Sequence, residues 1–397
     1  MKVGILTYHS SYNFGANLQA LAVQELLKRR GCSPVIIDYR DPEKTEMYRQ
    51  AVRPEQAEMH ETFIREYLNT SPRFCSDDEV REYCRRELDA VFVGSDAVFR
   101  LVPRYAPGRL LRLLLRRNPS SFWYRVTERA PLYWLPWAKD HDREPARVAI
   151  AASTVGTQFF FLEKSLRHQI RNCLCDFDFV SVRDDWTSLM VRWLSKGQVK
   201  PDICPDPVFC LNDCFSIPQE EVPDRDVSKT ILISASLDKK WLAEFRRVAN
   251  DHGFTICNLP NPDNVLGFDE SDFALDLPMS PLAWYALLSR AAGYIGIRFH
   301  ALVSCIANKT PVLTVDLSTA PKLLRAKNKT YDLCKRAGAK RRYRPAKRLM
   351  RSSPTTVLRA LMDSSSQTAM NCYADYARDR LWTVVDEIIE CVSLKRL

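Results

Sequence analysis

The chemistry this sequence can do concentrates first at Arg298 and His300, one residue apart in the stretch 291–316, AAGYIGIRFHALVSCIANKTPVLTVD. Arginine holds a carboxylate or phosphate through two parallel hydrogen bonds, and histidine exchanges a proton near neutral pH. The elements around them give the pair a place. The pattern predicts an apolar strand over Gly293–Ile297, a small-residue helix over Ala301–Asn308, a Lys-Thr-Pro turn and a second strand over Val312–Asp316. This is one βαβ unit, because parallel strands need a helical crossover. In open α/β sheets ligands bind beyond the carboxyl ends of the strands, where helix N-termini present free N–H groups. Arg298 and His300 fall at that end. An Arg-x-His taken alone is as readily a surface ion pair and a helix cap; its position is what favours function.

The chain opens in the same way. A strand is expected over Lys2–Leu6, then a polar turn, then a helix over Leu18–Arg30 with apolar spacing at Leu18, Leu21, Ala22 and Leu26. A second strand follows over Pro34–Asp38. Asn13, Gly15 and Asn17 lie at the strand-to-helix turn, where a residue without a side chain lets a substrate approach the backbone. Neither GxGxxG nor GxxxxGK is present, so no dinucleotide or P-loop nucleotide is indicated. The strand Leu88–Val93 runs into a small polar turn, Gly94-Ser95-Asp96, another candidate ligand loop, although Asp96 is equally suited to capping a helix. Strands over Arg147–Ala152 and Phe179–Arg183 follow, the second placing Arg183 at its end.

In the second half, a strand over Thr230–Ser234, a helix over Leu237–His252, a strand over Phe254–Asn258 and a helix over Pro281–Arg290 precede the Arg298/His300 unit. A final helix is expected over Ser364–Cys391. The acidic, proline-containing stretch 217–226 reads as a linker. With 397 residues there is length for two ordinary domains. The expectation is an α/β chain of two Rossmann-like domains facing a cleft, residues 1–216 and 227–397.

The net charge of +10 is uneven: thirteen Lys or Arg stand against one acid between Lys322 and Arg351, which reads as a basic loop. Another concentration lies in an insert at 100–147, where RLLRLLLRR is followed by Trp and Tyr at 123, 124, 133, 134 and 137. Arg112, Arg116 and Arg117 with Trp123, Trp134 and Trp137 suit an anionic membrane surface, while a packed subdomain is the plain alternative. No run approaches the ~20 apolar residues of a spanning helix, and the N-terminus turns polar too early for a secretory signal. The thirteen scattered cysteines contain no CxxC pair and are expected to be reduced thiols of a cytoplasmic protein. No metal-ligand spacing is visible, and neither metal nor cofactor is expected.

Six stretches in order resemble the polysaccharide pyruvyl transferases: KVGILTYHSSYNFGANLQALAVQ, FVGSDAVF, VAIAASTVG, SVRDDWTS, DPVF and RFHALVSCIANKTPVL, the last like the family's RxHA signature. The resemblance implies a GT-B-like fold and transfer of pyruvate from phosphoenolpyruvate onto a glycan as a ketal. The expected partners are that donor and a cell-surface or lipid-linked sugar acceptor, with an anionic membrane surface alongside and no nucleic acid. Arg298 and Arg183 then clamp the donor, with Lys322 in STAPK as the nearest match to a family lysine. His300 carries acid and base work, Asp96 positions or deprotonates a sugar hydroxyl beside Ser95, and Asn13, Gly15 and Asn17 line the facing wall. Ala97 and Phe99 depart from the family's usual Gln and Trp. A nucleotide-sugar glycosyltransferase and a non-catalytic membrane-bound scaffold are the other readings.

Overall fold

The structure, a computed structural model, describes residues 1–105, 125–137, 144–262, 268, 270–317 and 328–395. Among them, β1 (Lys2–Leu6), β2 (Ser33–Ile36), β3 (Ala90–Asp96), β4 (Ala146–Ala152), β5 (Phe179–Val182) and β6 (Asp202–Ile203) form one sheet in the order β2-β1-β3-β4-β5-β6. A second sheet holds β7 (Thr230–Ser234), β8 (Thr255–Asn258), β9 (Gly293–Gly296), β10 (Val312–Asp316) and β11 (Tyr343–Pro345), in the order β11-β10-β9-β7-β8. Every pairing in both sheets is parallel. The chain is therefore two parallel-sheet α/β domains of the GT-B-like kind.

Apolar runs make these strands. β3 and β4 read AVFVGSD and ARVAIAA and are buried at every position, as strands covered by helices on both faces must be. Each strand order reverses once, between β1 and β3 and again between β7 and β9. Crevices for ligands open at such reversals. After β1 the chain enters the helix Phe14–Arg29, capped by Asn13, whose Oδ1 accepts from the Gly15 and Ala16 N–H groups. After β9 it enters the helix Phe299–Ala307, with Arg298 at the cap position. Leu18 and Leu21 of the first helix share one apolar core with Trp284, Leu302 and Val303 of the second half, so the two halves are joined here by packed side chains. The last helix, Ser364–Lys395, buries Leu381, Val384, Val385, Ile388 and Val392, a single stripe at helical spacing. It crosses back to the first half, where Lys395 Nζ meets Asp178 Oδ1 at 2.7 Å.

Four expectations change. Gly94-Ser95-Asp96 is not a turn: β3 continues through Asp96, held by pairing of Asp96 with Ala152 of β4. The first helix begins at Phe14 rather than Leu18, because the Asn13 cap starts it four residues earlier. The basic segment 322–351 is not a loop in its described part. It contains the helices Lys329–Arg336 and Ala346–Arg351 and strand β11, with Arg342 buried and donating to the carbonyls of Val312 (3.2 Å) and Asp363 (2.8 Å). In the insert, Tyr133, Trp134 and Trp137 are buried, and Trp134 stacks on Phe99 at 4.1 Å. Those rings serve the core and not a membrane surface. Arg112, Arg116, Arg117, Trp123 and Tyr124 lie outside the described residues, as does Lys322.

Candidate active site

The two reversal points meet at their helix N-termini. The His300 ring, in the first turn of Phe299–Ala307, lies against the α-carbon of Gly15, in the first turn of Phe14–Arg29; a β-carbon there would stand 2.0 Å from His300 Cγ. Only glycine allows this approach. His300 is buried, and its Nε2 has no hydrogen-bond partner among the described residues. Burial moves its pKa down to about 4, with the Asp96 carboxylate opposing and the Lys329 ammonium adding to the shift. The imidazole is neutral at pH 7 and free to accept a proton.

Asp96 ends β3, and Thr7 ties the neighbouring strand end to it by donating to the Ser95 carbonyl at 3.2 Å. Burial acts to raise its carboxyl, but His300, Lys329 and Arg183 outweigh burial and hold it below the ordinary carboxylate value. Arg183 follows β5 and is buried. Its Nη1 donates to Asp206 at 2.6 Å, its Nη2 stands 3.6 Å from Asp96, and its guanidinium lies 4.5 Å over the Phe299 ring. Lys329 Nζ covers the same ring at 4.6 Å. Burial, with the adjacent Arg183 guanidinium, brings the Lys329 pKa down to about 8. Arg298 is partly exposed, and its N–H donates to the Tyr294 hydroxyl at 3.2 Å, which in turn lies 2.6 Å from Ser234 Oγ. A side chain on Gly296 would collide with that hydroxyl at 2.1 Å, so Gly296 and Tyr294 together fix the strand-to-helix junction carrying Arg298.

The predicted residues separate into groups. His300, Asp96, Arg183 and Gly15 come together, and Arg298 sits at the same strand end. Ser95 and Asn17 point into the protein. Ser95 Oγ accepts from Gln19 Nε2 at 3.1 Å and donates to the Ala151 carbonyl, and Asn17 bridges the His9 carbonyl and His60 Nδ1. Asn13 is exposed and spends its side-chain oxygen on the helix cap. Sequence reasoning missed Lys329, Phe299 and Asp206 as parts of the cluster. Lys329 is one of thirteen cations in its segment and only folding singles it out; Asp206 stands in the Asp-Pro-Val element, but its ion pair with Arg183 needs the sheet.

Beside the cluster, Arg183, Arg336 and Arg380 with Tyr373 and Tyr376 line an open cavity of about 560 Å³. Among the described residues no group of three His, Cys, Asp or Glu side chains is placed to hold a metal ion, and no helix is long and apolar enough to cross a membrane. The cluster thus offers a neutral base, a carboxylate beside it and several cations. That set suits an anionic donor and a hydroxyl acceptor.

No curated protein sequence matches this chain. Among solved structures, the UDP-GlcNAc 2-epimerase of Neisseria meningitidis bound to UDP-GlcNAc is similar with a TM-score of 0.51 at 11% identity, covering 100% of each chain. The UDP-N-acetylglucosamine 2-epimerase of Rickettsia bellii gives 0.50 at 10% identity, over 99% of this chain and 97% of its own. The E. coli heptosyltransferase solved with ADP gives 0.43 at 12% identity, over 91% and 99%. At such identities the likeness concerns the fold alone. Residues 13–319 match the family model for polysaccharide pyruvyl transferase, and with so much of its length covered the chain belongs to that family of polysaccharide-modifying transferases.

Proposed function

We propose that the protein moves the pyruvyl unit of phosphoenolpyruvate onto two hydroxyls of one sugar in a cell-surface polysaccharide or its lipid-linked precursor, on the cytoplasmic side. The donor carboxylate and phosphate lie against Lys329 and Arg298, with Arg183, already paired to Asp206 and Asp96, setting the positive wall behind them. His300 takes the proton of an attacking hydroxyl, and Asp96 stabilises the imidazolium that forms. The atoms balance. One hydroxyl proton ends on the enol methylene, which becomes a methyl group. The other leaves with the phosphate as the C–O bond to phosphorus-bound oxygen breaks, and both sugar oxygens bond to the former enol carbon.

The observation that carries this reading is the neutral His300 beside Asp96 and Lys329, where the two helix N-termini meet, in a member of this family. The test is phosphate release from phosphoenolpyruvate with extracted lipid-linked glycans as acceptor, with mass spectrometry of the product for the pyruvyl increment. Turnover of His300→Gln is expected to fall by about 10²–10⁴-fold, the range of general acid–base catalysis, with donor binding by calorimetry unchanged. Native turnover in that variant, or tight binding of a nucleoside diphosphate with none of phosphoenolpyruvate, overturns the reading.

A further inference from the structure

Nine large apolar side chains are exposed among the described residues, and five of them come from two adjoining segments. Val155, Phe160 and Phe161 follow β4, the last two in the 3-10 turn Phe159–Phe161; Leu189 and Trp193 lie one helical turn apart on the helix Asp185–Leu194. Each is between 37% and 49% exposed. Singly scattered apolar residues need no explanation, but a gathered patch marks a contact surface.

The patch is held in shape from beneath. Phe159 is fully buried, with its ring 4.1 Å from Phe160, 5.0 Å from Trp186 and 5.6 Å from Trp193. The Trp186 indole N–H donates to the Thr157 carbonyl at 2.9 Å, and Thr187 Oγ1 accepts from the Thr154 N–H at 3.0 Å, so the turn and the helix move as one. The rings are therefore presented outward by a fixed base rather than left over from an unfilled core.

Its rim is positive. Lys164, Arg192 and Lys196 are exposed around it, and the Arg167 guanidinium lies 5.6 Å over the Trp193 ring. No described carboxylate lies within ion-pair range of these four. The nearest acids in sequence are otherwise engaged: Glu163 with Arg104 at 3.0 Å, Asp185 with Lys335 at 3.2 Å and with Arg336, and Asp202 with Arg380 at 3.8 Å.

We propose that this patch docks the protein on a bilayer surface containing anionic lipid. Aromatic and aliphatic tips with Arg and Lys around them enter the headgroup layer, where rings shed water and cations meet lipid phosphates. A second copy of the chain fits less well. It brings like charges together around the same patch, and five side chains fall well short of the roughly 20–30 residues a side of a stable protein interface. The purpose rests on the proposed glycan transfer: the Asp185–Leu194 helix starts directly after Arg183 and Asp184, so a membrane under the patch presents a lipid-linked acceptor near the cleft.

The test is flotation of the full chain with phosphatidylcholine vesicles, with and without phosphatidylglycerol. The native protein floats with the anionic vesicles and is released by salt, the screening length being about 8 Å at physiological ionic strength. A variant carrying Phe160→Ser, Phe161→Ser and Leu189→Ser, and another carrying Lys164→Glu, Arg192→Glu and Lys196→Glu, each lose roughly a hundredfold or more in partition. Brominated lipid quenches native tryptophan fluorescence, and Trp193→Phe, which keeps an apolar ring, reduces that quenching to what Trp186 beneath the patch contributes while the protein still floats; this readout does not depend on the stability of the multiple variants. No flotation, equal flotation of native and variants, or a concentration-dependent dimer abolished by the serine variant overturns the proposal. Turnover of a short water-soluble glycan by the variants equals native turnover, so a failed transfer reaction and a failed docking surface are read separately.

Discussion

The His300 imidazole occupies the space of the side chain that Gly15 lacks, with a β-carbon on Gly15 falling 2.0 Å from His300 Cγ and 2.1 Å from Nδ1. One residue belongs to the helix after β1 and the other to the helix after β9, so this contact couples the reversal points of both sheets. The proposed base therefore rests directly against the helix of the opposite domain.

Gly15→Ala is accordingly expected to act on chemistry more than on folding. Inserting one methyl into packed surroundings costs about 1–3 kcal/mol. Displacing a reacting group by about 1 Å costs on the order of 10²-fold in rate. Steady-state kinetics and urea unfolding of the variant separate the two effects. Native turnover in Gly15→Ala means that Gly15 does not fix the ring.

In the proposed donor site, Lys329 sets a pH limit. Burial, with Arg183 beside it, lowers its pKa to about 8 from 10.5, so the free protein loses this charge as pH rises through 8. An anion needs the charged form, and binding at pH above 8 draws a proton onto Lys329. Donor affinity measured by calorimetry is expected to weaken above pH 8 in the native protein, with proton uptake on binding. Lys329→Arg keeps its charge through that range and flattens the profile. A profile identical in both proteins removes Lys329 from the donor site.

The strands and their order of appearance were legible because buried parallel strands are short apolar runs between polar turns; β1, β7 and β10 fall on the residues the pattern assigns. Position in a βα turn was legible, as for Arg298 and His300, which follow β9 at the start of its helix as the pattern assigns. It was not legible where direction decides. Asn17, in the helix after β1, and Ser95, in β3, stand near the expected strand ends yet face inward, toward His60 and Gln19. The insert's aromatic residues Tyr133, Trp134 and Trp137 have interfacial composition but pack inside, while Phe160, Phe161 and Trp193, elsewhere in the chain, are exposed. Composition records which residues are present, and the tertiary partners decide which way each one points.

Two buried histidines contribute to the acid sensitivity of the fold. Burial lowers His300 to about 4 and His60 to about 3 from 6.5, and His60 Nδ1 donates to Asn17 while its Nε2 is unpartnered. Between pH 6.5 and 4 the unfolded chain binds protons at both rings and the folded chain does not. Their contribution to stability therefore rises with pH across this window and falls on acidification, by about 1.4 kcal/mol per pH unit for each ring, while burial of Asp332, raised to about 6, acts in the opposite sense. Urea midpoints at several pH values are expected to lose part of this slope in His300→Gln and a similar part in His60→Gln. An unchanged slope in either variant means that ring already titrates normally.

Arg183 shows how the site's cations are kept in a dry place. Its ion pair with Asp206 is 2.6 Å long, and the two side chains are 3% and 1% exposed. Gln19 also donates to the same Asp206 oxygen, so the carboxylate is held from two sides. Breaking a buried pair by removing one partner costs about 3–5 kcal/mol, because the other charge remains buried. Asp206→Asn keeps the shape and removes the charge, leaving Asp96 as the carboxylate facing Arg183 at 3.6 Å. Two results are expected together: a loss of stability in that range by urea unfolding, and slower turnover, because an Asp96 drawn toward Arg183 is withdrawn from His300. Asp206→Glu restores the charge and recovers part of both. If Asp206→Asn loses stability while turnover per folded molecule stays native, Asp96 serves His300 independently of Arg183, and the ion pair is a structural support alone.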